Sequence, residues 1–132
     1  KAKKVYSNEI NREANKYAQL NIELNKVKNK VVLIPGDIKR VAEKLGSKKF
    51  DVIVMPRPRL KESFLKEAFS LSKKGTRIFY YDFCDNDEKN IILEKIKNEA
   101  KKSVKKIKIL KIKTAGEIAP YKIRLRVDLK VL

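Results

Sequence analysis

The sequence predicts an α/β fold in which a mostly parallel sheet ends in an antiparallel pair of strands. Three observations carry this prediction. Runs of β-branched and aromatic residues alternate with segments of helical periodicity, glycine or proline ends several of the apolar runs, and the last two extended segments have no helix between them. Strands joined by helices form a parallel sheet, and two consecutive strands form a hairpin.

The first third of the chain shows this alternation twice. Residues 5–9 are predicted to form a short strand, and residues 12–26 have a helical apolar pattern for which Asn11 is a suitable N-cap. The β-branched run at residues 30–34 is typical of a strand that is buried on both faces. A short helix follows it and is predicted to end at Gly46.

The rest of the chain continues the pattern and then changes it. Residues 51–55 are predicted to form a strand. A helix is predicted to follow it and to end at Gly75, which is suited to the C′ position. Residues 76–83 form an aromatic-rich predicted strand, and residues 86–102 a helix. Two predicted strands finish the chain, residues 107–113 and 121–132, and alternation in the second gives it one polar face.

Composition indicates one domain with a polyanionic partner. The chain has 132 residues, 42% of them hydrophobic, and 34 Lys and Arg against 16 acidic residues give a formal net charge of +18. Nucleic acid is the favoured partner because a large basic excess most often serves to neutralise phosphates. Two alternatives are lysine-rich helix faces that are simply solvated, and an anionic membrane surface.

Several classes of site and location are excluded or disfavoured. A single cysteine, Cys84, rules out an internal disulfide, and the absence of histidine excludes Ser-His-Asp and Cys-His catalysis and argues against zinc. No apolar run approaches the ~20 residues of a membrane span, and residues 1–30 show no signal peptide. We therefore expect a cytoplasmic protein without a metal or a membrane anchor.

Two carboxylates follow predicted strands, where ligands bind in open α/β sheets. Glu9 ends the first strand, where it is suited to accept hydrogen bonds from two ribose hydroxyls while Ile10 packs on an adenine; the alternative is a helix cap or dipole partner. Gly36 and Asp37 follow the next strand, and Asp37 is suited to accept from an adenine amine or to cap a helix. Their spacing together is typical of an adenosyl ligand.

A third segment, residues 56–59, follows the next predicted strand. Two prolines stiffen this loop, and two arginines beside them are suited to bind phosphate or to stack on a base; a rigid turn with solvated arginines is the alternative. The glycines are dispersed, and no G-x-G-x-x-G cofactor loop can be written.

Several segments resemble the Met-10-like family of archaeal and eukaryotic tRNA (guanine-N1)-methyltransferases, which is related to the aminocarboxypropyl transferases of wybutosine synthesis. Residues 5–14 resemble the second cofactor motif of that family, residues 21–25 its N-x-x-L-N helix end and residues 36–38 its third motif. Residues 64–81 and 119–128 resemble its later helix and strands. The resemblance implies a Rossmann-like class I methyltransferase sheet.

The resemblance also implies a reaction, in which S-adenosylmethionine provides a methyl group for N1 of the guanosine 3′ to the anticodon of tRNA. It assigns cofactor binding to Glu9, Ile10, Asp37 and Ile38. The acceptor-side motif of the family is Asn-Leu-Pro, and the corresponding catalytic positions are Pro56, Arg57 and Pro58, so that Pro56 replaces an asparagine that places the base. Arg57 and Arg59 are the predicted tRNA contacts.

The resemblance further implies that a first strand with its glycine-containing loop precedes Lys1. We therefore expect residues 1–132 to be the C-terminal portion of one methyltransferase domain, which binds its cofactor poorly and is inactive without an N-terminal remainder. Three alternatives stay open: an aminocarboxypropyl transferase, a non-catalytic basic RNA-binding module, and a methyltransferase for another substrate.

Overall fold

The computed structural model describes residues 2–56 and 63–132, which fall into two compact units. The first unit is Lys1–Gly46 and the second is Ser47–Leu132, and each is described by itself. Strands and helices alternate in both units, and the strand pairs are both parallel and antiparallel. The predicted α/β fold is confirmed.

The first unit contains two strands and two helices. They are β1 (Val5–Glu9), α1 (Arg12–Leu24), β2 (Val31–Pro35) and α2 (Ile38–Leu45). The two strands pair in parallel, and Glu9 lies opposite Pro35. Asn11 caps α1 as predicted, because its side-chain oxygen accepts hydrogen bonds from the amides of Glu13 and Ala14.

The described residues of the second unit form four strands and two helices. They are β3 (Phe50–Met55), α3 (Leu65–Ser70), β4 (Ser72–Asp85), α4 (Lys89–Lys102), β5 (Ile107–Ala119) and β6 (Lys122–Val131). The strand order is β3-β4-β6-β5. β3 and β4 are parallel, whereas β6 pairs antiparallel with both β4 and β5, which confirms the predicted terminal hairpin.

Gly75 does not end a helix, and that prediction was wrong. α3 already ends at its C-cap Leu71, and Gly75 lies inside β4 with φ of 94°. The buried hydroxyls of Ser72 and Thr76 explain the difference, because they donate to main-chain carbonyls, that of Thr76 to the Phe50 carbonyl at 2.6 Å. These bonds start the strand four residues earlier than the aromatic run indicates.

The hydrophobic core belongs to the second unit, where α3 and α4 pack on one face of β4 and β6. Its fully buried large side chains are Leu65, Phe69, Ile78, Ile96, Leu125, Val127 and Leu129. The opposite face of β6 carries Arg124 and Arg126, as the alternation predicted. In the part of the chain that the structure describes, no helix is both long and apolar enough to cross a membrane.

Candidate functional site

The carboxyl ends of β1 and β2 lie side by side in the first unit. The amide of Gly36 donates to the carbonyl of Glu9 at 3.0 Å, which continues the parallel ladder past the end of β2. α1 begins three residues after Glu9, and α2 begins at Ile38. Both predicted cofactor motifs therefore meet at one edge, beside two helix N-termini with partly positive ends.

Side-chain amides fix the backbone of this edge. The amide nitrogen of Asn8 donates to the carbonyls of Ile34 at 2.8 Å and Gly36 at 3.0 Å. Asn15 donates to the carbonyl of Glu9 at 2.9 Å. Sequence reasoning gave Asn8 and Asn15 no role, since an asparagine near a strand end is common in any turn.

The Glu9 carboxylate is free to bind a ligand. The Glu9 residue is half-buried, and its side chain has no hydrogen-bond or ion-pair partner among residues 2–56 and 63–132. Ile10, the next residue, is 68% exposed. Two carboxylate oxygens without partners are suited to accept from two neighbouring hydroxyls, and an exposed apolar side chain is suited to cover an aromatic ring.

Asp37 has a structural role that leaves part of its carboxylate available. One side-chain oxygen accepts from the amide of Lys39 at 3.0 Å, so that Asp37 is the N-cap of α2, the alternative that its position suggested. The other oxygen remains for an exocyclic amine. Gly36 has φ of 121°, which other residues rarely adopt, and Ile38 is half-buried. Cofactor roles for Glu9, Ile10, Asp37 and Ile38 stay predictions.

The acceptor-side segment begins where β3 ends, in the second unit. Pro56 is described, whereas Arg57, Pro58 and Arg59 lie outside the described residues. The Nη2 atom of Arg124 donates to the carbonyl of Pro56 at 2.7 Å, and its guanidinium carbon lies 4.5 Å from the centroid of the Tyr81 ring. Sequence reasoning missed this contact, because the alternation in β6 does not reveal which strand the arginine faces.

A second polar cluster is partly buried on the core side of β4. The Tyr80 hydroxyl donates to Asp82 at 2.7 Å, and the Lys95 ammonium lies 3.1 Å from the same oxygen. Burial, together with the hydrogen bond to Asp82, raises the pKa of Tyr80. Burial also raises the pKa of the Cys84 thiol, which makes that thiol less reactive. This cluster joins α4 to the sheet and is structural.

Comparison with known protein families assigns the chain to one of them. The sequence model of the TRM5/TYW2 methyltransferase domain matches residues 1–112. The chain belongs to this family. The match includes β1, β2 and the strand ends that carry Glu9 and Asp37.

Two relatives in this family are tRNA (guanine(37)-N(1))-methyltransferases named Trm5b. The chain is 35% identical over 132 residues to the Pyrococcus abyssi protein, and this match covers 99% of the chain and 38% of that protein. It is 28% identical over 130 residues to the Methanocaldococcus jannaschii protein, and this match covers 98% of the chain and 35% of that protein. The chain therefore spans little more than a third of the length of these relatives.

Solved structures of the family have the same fold. Trm5b from Pyrococcus abyssi superposes with a TM-score of 0.86 at 34% identity, covering 99% of the chain and 38% of the solved chain. TYW2 from M. jannaschii in complex with AdoMet superposes with a TM-score of 0.80 at 28% identity. That match covers 98% of the chain and 57% of the solved chain. A complex of aTrm5 with tRNALeu superposes with a TM-score of 0.78 at 26% identity, and the match covers 99% of the chain and 36% of the solved chain.

Proposed function

We propose that the chain is part of an S-adenosylmethionine-dependent methyltransferase domain that modifies N1 of the guanosine 3′ to the anticodon of tRNA. The observation that carries this proposal is the Glu9 carboxylate, which has no partner among residues 2–56 and 63–132. It lies beside Gly36 and Asp37, at the carboxyl ends of two paired parallel strands. The names of the two Trm5b relatives support the reaction, and the solved complexes with AdoMet and with tRNALeu support the cofactor and the substrate.

The residues at this edge fit the adenosine half of the cofactor. In our proposal the Glu9 carboxylate accepts from the ribose hydroxyls, Ile10 covers one face of the adenine, and Asp37 accepts from its amine. Ile38 packs beside the ring from the first turn of α2. The cofactor supplies an activated methyl group when bound, so the chain mainly has to align the reacting atoms.

The substrate side is proposed to use the loop after β3. Pro56, Arg57 and Pro58 hold the target nucleotide, and Arg57 and Arg59 contact tRNA phosphates. The formal net charge of +18 supports a polyanionic substrate. Its affinity should fall steeply with salt concentration, because the counterions that binding releases gain less free energy in a more concentrated salt solution. We also propose that the protein is cytoplasmic, where tRNA, its proposed substrate, takes part in translation.

The cofactor assignment is tested with two glutamates of the first unit. Glu9→Gln should weaken cofactor binding by about tenfold or more in the full-length gene product, because a carboxylate hydrogen bond is about twice as strong as a neutral one. Glu13→Gln is the matched control, because the exposed Glu13 carboxylate makes just a long ion pair of 3.9 Å with the exposed Lys16 ammonium. Isothermal titration calorimetry measures both. Equal affinities for the two variants would show that Glu9 does not hold the ribose.

Asp37 needs a variant that separates its two roles. Serine caps a helix about as well as aspartate but is shorter and uncharged, so Asp37→Ser should keep α2 and lose cofactor affinity. Asp37→Ala should lose both the cap and the affinity. If Asp37→Ser binds the cofactor as the unmodified chain does, Asp37 is only a cap.

The transferred group distinguishes our proposal from a second candidate, an aminocarboxypropyl transferase. The match to TYW2 at a TM-score of 0.80 favours that candidate, because TYW2 has the same fold and was solved with the same cofactor. Mass spectrometry of nucleosides from treated tRNA separates a methyl group from an aminocarboxypropyl group. Binding of tRNA without any modification by the full-length product would instead support a non-catalytic module.

A further inference from the structure

Arg124 connects three strands of the second unit. It lies on β6 opposite Phe83 of β4, and its guanidinium passes over Tyr81 of β4 to reach Pro56, the residue after β3. Strands lie about 4.8 Å apart, so a side chain that starts on β6 must cross roughly 9 to 10 Å to reach the end of β3. Among side chains that donate hydrogen bonds, arginine is the longest.

Two contacts hold the guanidinium in one place. It stacks 4.5 Å from the centroid of the Tyr81 ring, and in the same position it donates to the Pro56 carbonyl at 2.7 Å. A planar guanidinium is able to stack through its face and donate through its edge at once, whereas a lysine ammonium is a point charge that lacks this geometry. The bond to Pro56 is therefore directional.

Packing alone does not explain an arginine at this position. Its Nε atom is buried without a hydrogen-bond partner among the described residues, which is unfavourable for a charged donor group. An apolar side chain would cover Tyr81 without leaving that atom unpaired. The bond from the other end of the guanidinium to the Pro56 carbonyl, which an apolar side chain cannot make, offsets this unfavourable burial.

We propose that Arg124 is a positioning residue that fixes the start of the acceptor-side loop through the Pro56 carbonyl. This inference rests on the proposed function, in which residues 56–59 hold the target nucleotide. By holding the carbonyl, Arg124 fixes the position of Pro56 at the end of β3. A small displacement of a substrate-holding group lowers the rate of reaction far more than it lowers binding.

Arg126 provides the matched control. It lies on the same face of the same strand, two residues further on, but pairs with Asp128 at 2.9 Å and lies 6.0 Å from the Phe79 centroid. Asp128 is only 8% exposed, so removing Arg126 leaves a buried carboxylate without its cation. Arg126→Ala should therefore destabilise the protein more than Arg124→Ala does.

The test measures kcat, KM and thermal stability for Arg124→Ala and Arg126→Ala in the full-length gene product with tRNA. Arg124→Ala should lower kcat by about 10- to 100-fold and leave the KM for the cofactor within about twofold. Arg126→Ala should lower Tm further but keep most of kcat. Ethylguanidinium at millimolar concentration should restore part of the activity of Arg124→Ala and none of that of Arg126→Ala. Arg124→Lys should not substitute for arginine.

A spectroscopic measurement keeps the outcomes distinguishable. The ¹³C resonance of the Pro56 carbonyl should move in Arg124→Ala and stay in place in Arg126→Ala. An unmoved resonance, or kcat losses that follow the Tm losses in both variants, would overturn the positioning role. If the full-length product leaves tRNA unmodified while the resonance moves, Arg124 still holds the Pro56 carbonyl, but the proposed function is contradicted. The positioning role of Arg124 in that reaction is then contradicted as well.

Discussion

Within each of the two units, a different kind of interaction stabilises the structure. In the second unit, two helices and the sheet meet in one apolar core, in which Phe69 is fully buried. In the described part of the first unit, the buried apolar side chains are Ile22 and Val41, and α1 leaves Tyr17 and Leu20 more than half exposed. A two-stranded sheet is marginally stable by itself.

This difference assigns different tasks to polar residues in the two units. The first unit contains the candidate cofactor edge, where Asn8, Asn11 and Asn15 hold strand ends and a helix start through hydrogen bonds. The second unit has a core that fixes its strands, and the acceptor-side contact of Arg124 is added to that frame. Substitutions of apolar residues should therefore lower mainly the stability of the second unit, whereas substitutions of polar residues should lower the stability of both units.

The largest expected effect comes from the core of the second unit. Phe69→Ala should lower the free energy of unfolding by about 3–5 kcal/mol, because it removes a fully buried ring and leaves a cavity. Leu20→Ala, at a residue that is 54% exposed in the first unit, should change it by less than about 0.5 kcal/mol. Urea titration followed by circular dichroism measures both. Similar losses would show that the first unit is packed as firmly as the second.

A smaller, pH-dependent effect is expected for Tyr80→Phe. The Tyr80 phenol donates to Asp82, and this bond should contribute about 1–3 kcal/mol to stability. Because burial and the bond to Asp82 raise the pKa of Tyr80 in the folded state, the contribution is full below the pKa of the unfolded chain, about 10, and is lost as pH rises above it. The difference between the two proteins should then shrink by about 1.4 kcal/mol per pH unit.

Tyr17→Phe is the control for that measurement, since Tyr17 is 64% exposed in the first unit. It should follow the unmodified chain at every pH, which also accounts for the titration of the many lysines. A stability difference for Tyr80→Phe that stays constant from pH 8 to pH 11 would mean that the Tyr80 pKa is unchanged by folding.

Local patterns were sufficient to predict most of the fold. The N-cap at Asn11 and the alternation in β6 each depend on neighbours in sequence, and both are confirmed. The β-branched run at residues 30–34 forms β2 as predicted, but its apolar residues are half-buried rather than buried on both faces. Parallel strands bring their carboxyl ends to one edge, so the proximity of Glu9 and Gly36 also followed from the order of the elements. Gly75 was misjudged because hydroxyl bonds from Ser72 and Thr76 outweigh a glycine's preference for helix ends.

The contact between Arg124 and Pro56 was beyond prediction from sequence. It joins residues that are 68 positions apart, and it depends on the register of β6 against β4. β5, the other partner of β6, has three register shifts, which alternation alone does not reveal. Long-range strand pairing therefore decided the part of the candidate site that sequence reasoning missed.

The smallest expected effect compares the N-termini of two helices, one in each unit. Asn11→Ala should destabilise α1 by about 1 kcal/mol, because it removes the oxygen that accepts from two main-chain amides, while Asn11→Ser should cost a few tenths. Glu88, the N-cap position of α4, makes no side-chain cap bond, so Glu88→Ala should have almost no effect. Amide hydrogen exchange in the first turn of each helix measures the difference. Equal protection losses at both helices would show that capping matters no more in the weakly packed unit than beside the core.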